Sequence, residues 1–362
     1  MNISTLFYFA NLGIFCGCIT LVITYILAQT MNIMQDKPNK SVFKLHTKNT
    51  PLCGGISIFI AYIVVVLGGI EIQNISYVNR LLSLYVGGFY EYAGLHFYIA
   101  CCVVLCAGII KDISNKTKLQ LMFCIQIFGF CIFYILLYLL NIQHDYNMVL
   151  IFISSCFFLF ITTNSINTID GIHGNAAICS MAILFAICYV SYKTQSNFIV
   201  FASSILFGIL SIFILFNYPF GRMFLGDSGA FLLGFCIGAL LLLCVLHYRI
   251  NIWYCLALLL YPMCAMLSSL ISQILVARKH NKISWQILWQ PHALHLHTMM
   301  WKYFSHVATL IINGVFICFI VLITYYYQNN MIIFISSVIF CVIYAICFII
   351  FYNKNINLYH KA

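Results

Sequence analysis

Long stretches of this chain carry no charged side chain, and those stretches decide its solvent. No Asp, Glu, Lys or Arg occurs in Ser4–Leu27, Leu119–Asn141, Thr194–Asn217 or Gly229–Tyr248. A run of roughly 20 apolar residues is long enough to cross a bilayer as a helix. In hydrocarbon only helices and closed barrels satisfy their own backbone, and runs of this length read as helices. Thr50–Ile70, Tyr92–Ile110, Tyr146–Thr163, Asn175–Tyr192, Ile250–Ala277, Tyr303–Tyr327 and Met331–Tyr352 share the pattern, giving about eleven spans. Leu81–Tyr90 is too short to span and is expected at the interface. Met1–Leu6 carries no Lys or Arg, so the first run reads as a retained helix rather than a cleaved leader.

Composition agrees. Charged residues make up 7% of the chain and hydrophobic residues 64%, against roughly 25% charged in an average soluble protein. Too little polar side chain exists to cover a surface in water, and disorder and coiled coil are excluded with the soluble classes. The chain has 18 cysteines, but most lie inside apolar runs, where Cys acts as a small hydrophobe. No repeat or long linker divides the sequence. The expected fold is an all-α polytopic membrane protein forming one integral-membrane domain over residues 1–362.

Lys and Arg orient the spans. Of the 17 Lys and Arg, all but Arg80, Lys193 and Arg249 fall in loops on one side. That side is expected to be cytoplasmic, with the N-terminus periplasmic and the C-terminus cytoplasmic. The net charge of +10 is then a topology signal and not a sign of nucleic acid.

Only seven carboxylates exist. Glu71, Glu91 and Asp145 fall in outer loops, whereas Asp36, Asp112, Asp170 and Asp227 lie on the basic side at or near helix ends. Ionisable groups beside a bilayer are expensive, so a scarce set on one face suggests function. Transporters place such groups nearer the midplane, on broken helices.

Four segments surround these acids. In Asn217–Gly234, Asp227 lies in Gly226-Asp227-Ser228-Gly229 just where a helix begins. Asp or Ser there could simply cap backbone N–H groups. Alternatively the helix end is an anion site, with Asp227 holding Mg²⁺ against a phosphate and Arg222 as a nearby cation. In NSINTIDGIHG, Asn164, Asn167 and Asp170 share a helix face, either lining a pocket or acting as interhelical glue. His292, His295 and His297 in PHALHLH have metal-ligand spacing, but no Cys, Asp or Glu stands beside them, and phosphate contact by imidazole is the other reading. DKPNKSVFKLHTKNTPLCGG is a basic rim before a helix, either a topology anchor or an attractor of anionic head groups.

Together, Asp36-Lys37-Pro38-Asn39, TPLCGG, NSINTIDG, FNYPFGRMFLGDSGAFLLGF and ALHLH, in this order, resemble the polyprenyl-phosphate N-acetylhexosamine-1-phosphate transferases, the superfamily of WecA-type and MraY-type enzymes. The short DKPN start and the ALHLH ending look more like the WecA-type, O-antigen-initiating branch. The resemblance implies transfer of a sugar 1-phosphate, GlcNAc or a related N-acetylamino sugar, from a UDP-sugar to undecaprenyl phosphate. UMP leaves and Mg²⁺ assists, with Mn²⁺ as a substitute. It implies Asp227 and Asp170 as metal ligands, and Asp112, Asp170, Asp227, Asn167, His295 and His297 as the catalytic set. Lys48, Thr50, Gly54, Gly55, Lys111, Lys118, Asn164, Asn217, Arg222, Phe224 and Gly226 would bind substrate, with Phe224 stacked on uracil. The expected location is the bacterial inner membrane with a cytoplasmic site, and a homodimer is a further expectation. An MraY-type phospho-MurNAc-pentapeptide transferase is the alternative enzyme. A silent lipid-phosphate binder or a transporter is the alternative from another class.

Three positions depart from the family pattern. Lys111 stands where an acid usually precedes Asp112, and His173 and His292 replace two further acids. A phosphate monoester has a second pKa near roughly 6, so the lipid phosphate is largely dianionic at neutral pH without a base, and Lys111 could bind it.

Overall fold

The computed structural model describes residues 3–36, 49–71, 93–113, 119–139, 147–279 and 295–359. Lys48, Lys118, His292, Asp145 and the stretch 81–90 lie outside them. The helices follow the apolar runs: α1 (Ile3–Thr30), α2 (Gly54–Glu71), α3 (Ala93–Ile113), α4 (Leu119–Leu139), α5 (Met148–Ile169), α6 (Asn175–Lys193), α7 (Asn197–Asn217) and α8 (Gly226–Leu246). After them come α9 (Ile252–Leu258), α10 (Leu260–Lys279), α11 (Leu296–Trp301), α12 (His306–Tyr325) and α13 (Asn330–Tyr359). Among the described residues ten of these are long and apolar enough to cross a membrane, and Gly54–Val66 of α2 is a shorter apolar stretch. The chain is an all-α, multi-pass membrane protein. A two-residue ribbon, β1 (Gln35–Asp36) with β2 (Thr50–Pro51), is antiparallel with Asp36 opposite Thr50.

One expected span is two helices. Ile250–Ala277 breaks at Leu259, between α9 and α10. Pro262 is the cause: it has no N–H to give the carbonyl four residues back, and its ring crowds that carbonyl, so it is tolerated only in a first turn. Other helix starts are capped from the sequence. Asn147 Oδ1 accepts the N–H of Val149 at 3.0 Å, Asn251 Oδ1 that of Trp253 at 3.0 Å, and Ser305 Oγ that of Ala308 at 3.2 Å. Within the spans hydroxyls turn inward on their own helix, as Ser204 Oγ does to Val200 O at 2.6 Å and Thr324 Oγ1 to Ile320 O at 2.7 Å. These two hydroxyls are thereby paired inside an apolar span.

Helix α8 is the central post. It packs on α2, α3 and α5 and touches α6 and α7. Of its apolar window 83% is buried, against 28% for α1 and 22% for α13, so the latter two face lipid. Small residues let the post come close to its neighbours. Gly234 and Gly238 stand one turn apart against α5, where a β-carbon on Gly234 would fall 2.6 Å from Thr163 Cα and one on Gly238 would strike Thr162 Oγ1. Phe235 of the post stacks on Phe130 with centroids 6.0 Å apart. A buried amide network joins the flanking helices. Asn175 Nδ2 donates to Ile169 O at 2.9 Å and Tyr261 Oη at 3.1 Å, and Asn313 Nδ2 donates to Asn175 Oδ1 at 3.2 Å.

Candidate active site

Five segments far apart in the chain meet at one end of the bundle. The strand residue Thr50 stands opposite Asp36. The next stretch is zipped to the loop before α8: Phe224 N–H donates to Pro51 O at 2.9 Å, Gly54 N–H to Phe224 O at 3.0 Å, and Gly55 N–H to Leu225 O at 3.0 Å. Asn217 ties that loop to the one after α5. Its Oδ1 accepts Gly174 N–H at 2.5 Å and its Nδ2 donates to Met223 O at 2.9 Å. The histidine segment closes the ring, because a β-carbon on Gly171 would fall 2.5 Å from His297 Nε2. Both ends of the Asn217 amide are therefore engaged by backbone.

The end of α3 meets the start of α8 through two adjacent residues. The Asp112 carboxylate accepts the N–H of Asp227 at 2.8 Å and of Ser228 at 3.0 Å. The positive end of the α8 dipole thus faces a carboxylate supplied by the chain itself. The sequence offered that helix end to a phosphate, and the structure corrects this for those two N–H groups. Gly226 makes the approach feasible: its φ is +74°, and a β-carbon there would sit 2.8 Å from Asp112 Oδ2. Gly55 and Gly108 do the same from two other helices, since a β-carbon on Gly55 would overlap Gly229 N and one on Gly108 would overlap Ser228 Cα.

Next to Asp112, Lys111 Nζ lies 2.6 Å from Asp227 Oδ1, with side chains 35% and 27% exposed. The ammonium also sits 5.2 Å from the centroid of Phe231. Asp170 caps the C-terminus of α5. Burial first, then the charges of Asp227 and Asp112, hold its carboxyl well above the usual carboxylate range. The three acids therefore sense one another across three helix ends.

The remaining predicted residues divide. Asn164 is buried, and its Nδ2 donates to Phe160 O at 2.8 Å and Gln126 Oε1 at 3.4 Å. This is the interhelical contact that the sequence left open beside pocket lining. Asn167 is half-buried, and its carbonyl accepts the Asp170 N–H at 3.3 Å. Phe224 has one face covered by His173, with centroids 4.9 Å apart and planes at 23°. The carbonyl of His173 lies 3.1 Å from His306 Nε2. Arg222 is exposed, with its guanidinium 5.4 Å from the Phe220 centroid. His295 and His297 stack at 5.4 Å with planes at 2°. His297 is buried with Nε2 unpaired, and burial pushes its pKa down to about 3. Gln126, Gly108 and His306 were not singled out from the sequence. Gln126 could have been found as a lone amide in an apolar run.

A divalent cation of the Mg²⁺ kind takes hard oxygen donors, commonly one or two carboxylates completed by phosphates and water. Among the described residues no cluster of three or more His, Cys, Asp or Glu could cage a metal. The free oxygens there are the second oxygen of Asp227 and the Asp170 carboxylate, for which no bond occurs among the described residues. Two carboxylates fit a cation that draws its other ligands from substrate.

Residues 95–245 match the family model described as glycosyl transferase family 4. Over this segment the chain is similar to glycosyl transferase family 4. The matched stretch contains Lys111, Asp112, Asp170 and Asp227. Named relatives point the same way. A phospho-N-acetylmuramoyl-pentapeptide-transferase of Streptococcus equi subsp. zooepidemicus is 28% identical over 36% of this chain and 42% of its own. A probable undecaprenyl-phosphate N-acetylglucosaminyl 1-phosphate transferase of Bacillus subtilis is 27% identical over 58% and 54%. A phospho-N-acetylmuramoyl-pentapeptide-transferase of Prochlorococcus marinus is 25% identical over 64% and 67%. The chain thus spans about half the length of the first two relatives. The likeness is to transferases, and it does not separate the two activities that the relatives' names give.

Proposed function

We propose that this chain transfers a sugar 1-phosphate from a UDP-N-acetylamino sugar, such as UDP-GlcNAc, to undecaprenyl phosphate, and so starts a lipid-linked surface polysaccharide such as O-antigen. The observation that carries this reading is the convergence of Asp112, Asp170, Asp227 and Lys111, with the five motif segments, at one end of a lipid-embedded bundle. Such a position serves one substrate that arrives from water and one that is anchored in the bilayer. The charge pattern of the loops supports a cytoplasmic site in a bacterial inner membrane.

In this reading an oxygen of the lipid phosphate attacks the sugar-bearing phosphorus of the UDP-sugar. A new P–O bond forms, the P–O bond to the uridylyl phosphate breaks, and UMP leaves with the bridging oxygen. Two phosphate anions must approach, so catalysis is positioning plus charge neutralisation. Mg²⁺, held by Asp227 and Asp170, supplies Lewis-acid charge stabilisation on phosphoryl oxygens when bound. Lys111 and Arg222 add fixed cations. Asp112 positions Asp227 by holding its backbone N–H. Phe224, braced by His173, would stack on the uracil. By the resemblance, His295, His297 and Asn167 would reach the phosphates, and Lys48 and Lys118, outside the described residues, would be further basic contacts.

An MraY-type acceptor reaction with UDP-MurNAc-pentapeptide is the second reading, favoured by the names of the Streptococcus and Prochlorococcus relatives. The test is one assay on membranes: undecaprenyl phosphate with each donor in turn, reading UMP release for wild type and Asp227→Asn. Release with a UDP-N-acetylamino sugar, and at least a 100-fold loss in the variant on the scale of electrostatic transition-state groups, supports the proposal. Release with UDP-MurNAc-pentapeptide alone selects the second reading. No release with any donor overturns both.

A further inference from the structure

Among the described residues, Asp227 is paired with the chain's own Lys111 ammonium. We propose that Lys111 competes with the divalent cation for Asp227, so that the site takes up its metal effectively only after a phosphate ligand has drawn Lys111 away. The proposal deepens the transferase reading and rests on its assignment of Asp227 as a metal ligand.

Three observations carry it. First, Lys111 Nζ is 2.6 Å from Asp227 Oδ1, a charge-assisted contact on a carboxylate oxygen that a cation would otherwise use. Second, Lys111 cannot drift away. Asp112, its neighbour, is fastened to the Asp227 and Ser228 N–H groups at 2.8 and 3.0 Å. The ammonium is therefore presented to Asp227 at high effective concentration. Third, the contact can be exchanged. Both side chains are about a third exposed, so the ion pair is screened and individually weak. The lysine stem is flexible enough to swing its point charge to an incoming phosphate while its backbone stays fixed. The face of Phe231, 5.2 Å from Nζ, gives the ammonium a second resting contact near Asp227.

Charge balance follows. Without substrate, Asp227 is neutralised by Lys111 and Asp112 by the end of α8, leaving little net negative charge to hold a divalent ion. A diphosphate brings the missing anions. It can take Lys111, and Asp227 is then free for the metal. Metal and phosphate ligand should bind cooperatively in this chain, and the cooperativity should depend on the positive charge at position 111.

The experiment uses the full-length protein in detergent with Mn²⁺ as the probe, read by electron paramagnetic resonance, with and without UMP. Wild type, Lys111→Gln and Lys111→Arg are compared, and each is checked for an intact thermal transition. The expected result is Mn²⁺ affinity raised about 5- to 10-fold in Lys111→Gln without UMP, the scale of a partly exposed ion pair plus a removed like charge. UMP should tighten Mn²⁺ in wild type and in Lys111→Arg, and do so much less in Lys111→Gln. Mn²⁺ affinity that is unchanged, weakened or absent in Lys111→Gln overturns the proposal, as does equal tightening by UMP in all three proteins. The Mn²⁺ readout is separate from turnover. A chain that shows the Lys111 effect but releases no UMP with any donor loses the transferase reading and keeps this inference. A chain that turns over without the effect keeps the first and loses the second.

Discussion

The carboxylate of Asp112 accepts the backbone N–H of Asp227 at 2.8 Å, so the last turn of one transmembrane helix completes the first turn of another. Replacing Asp112 with Ala leaves two N–H groups of α8 without an acceptor and should cost about 1–3 kcal/mol. Asn keeps one of the two acceptor oxygens and sets its NH2 against the other N–H, so it loses one hydrogen bond of about 1 kcal/mol together with the charge that faces the helix dipole. Thermal unfolding in detergent should therefore rank wild type above Asp112→Asn and Asp112→Ala lowest. Identical midpoints for the three proteins would contradict the capping role.

His297 supplies a pH dependence with a definite direction. Its folded-state pKa is pushed down to about 3 by burial, below an unfolded value near 6.5. Below pH 6.5 the unfolded chain binds a proton that the folded chain refuses, so stability falls as pH drops from about 6.5 toward 3. At pH 5 the loss from this one group is on the order of 2 kcal/mol. His297→Gln removes the group. Its melting temperature should decline less than that of wild type between pH 7 and pH 5, and parallel declines would show that His297 is not the titrating group.

Gly55 lies where α2 crosses the head of α8, and a β-carbon there would overlap the backbone of Gly229. Neither backbone can yield as a side chain could. Gly55→Ala should destabilise by about 1–3 kcal/mol or more and should lower UMP release through the displaced Asp227. A variant with wild-type melting and wild-type turnover would mean that the two helices stand further apart in the membrane.

Asn217 acts as a fastener. Both ends of its amide are held by backbone groups of the two loops that flank the acids. Asn217→Ala should cost about 1–3 kcal/mol for the groups left unpaired and lower turnover with every donor alike. A change confined to the KM of one donor, at full stability, would instead make Asn217 a substrate contact.

Much of the architecture could be read from charge-free runs, because a span advertises itself over its whole length. The break at Leu259 could not be read that way, since hydropathy is indifferent to Pro262. The gathering of acids was legible as scarcity plus motif order. What each acid does was less so. Whether the end of α8 meets a bound anion or a side chain depends on which residue lies across from it, and Asp112 stands more than a hundred positions away in the chain. Nothing local to GDSG encodes that partner. The pairing of Asn164 with Gln126 was hidden for the same reason: which residue faces Asn164 is decided only when the helices are set side by side. Where Lys48, Lys118 and His292 stand was legible only as an expectation, as all three lie outside the described residues.

Helix α8 is enclosed by its neighbours along most of its length, and Gly55, Gly108 and Gly226 leave no slack around its head. A mast stayed on every side cannot be re-aimed by small changes. A substitution far from its head has little room to alter where Asp227 points, so a change in what this end of the bundle accepts falls to the loops around it.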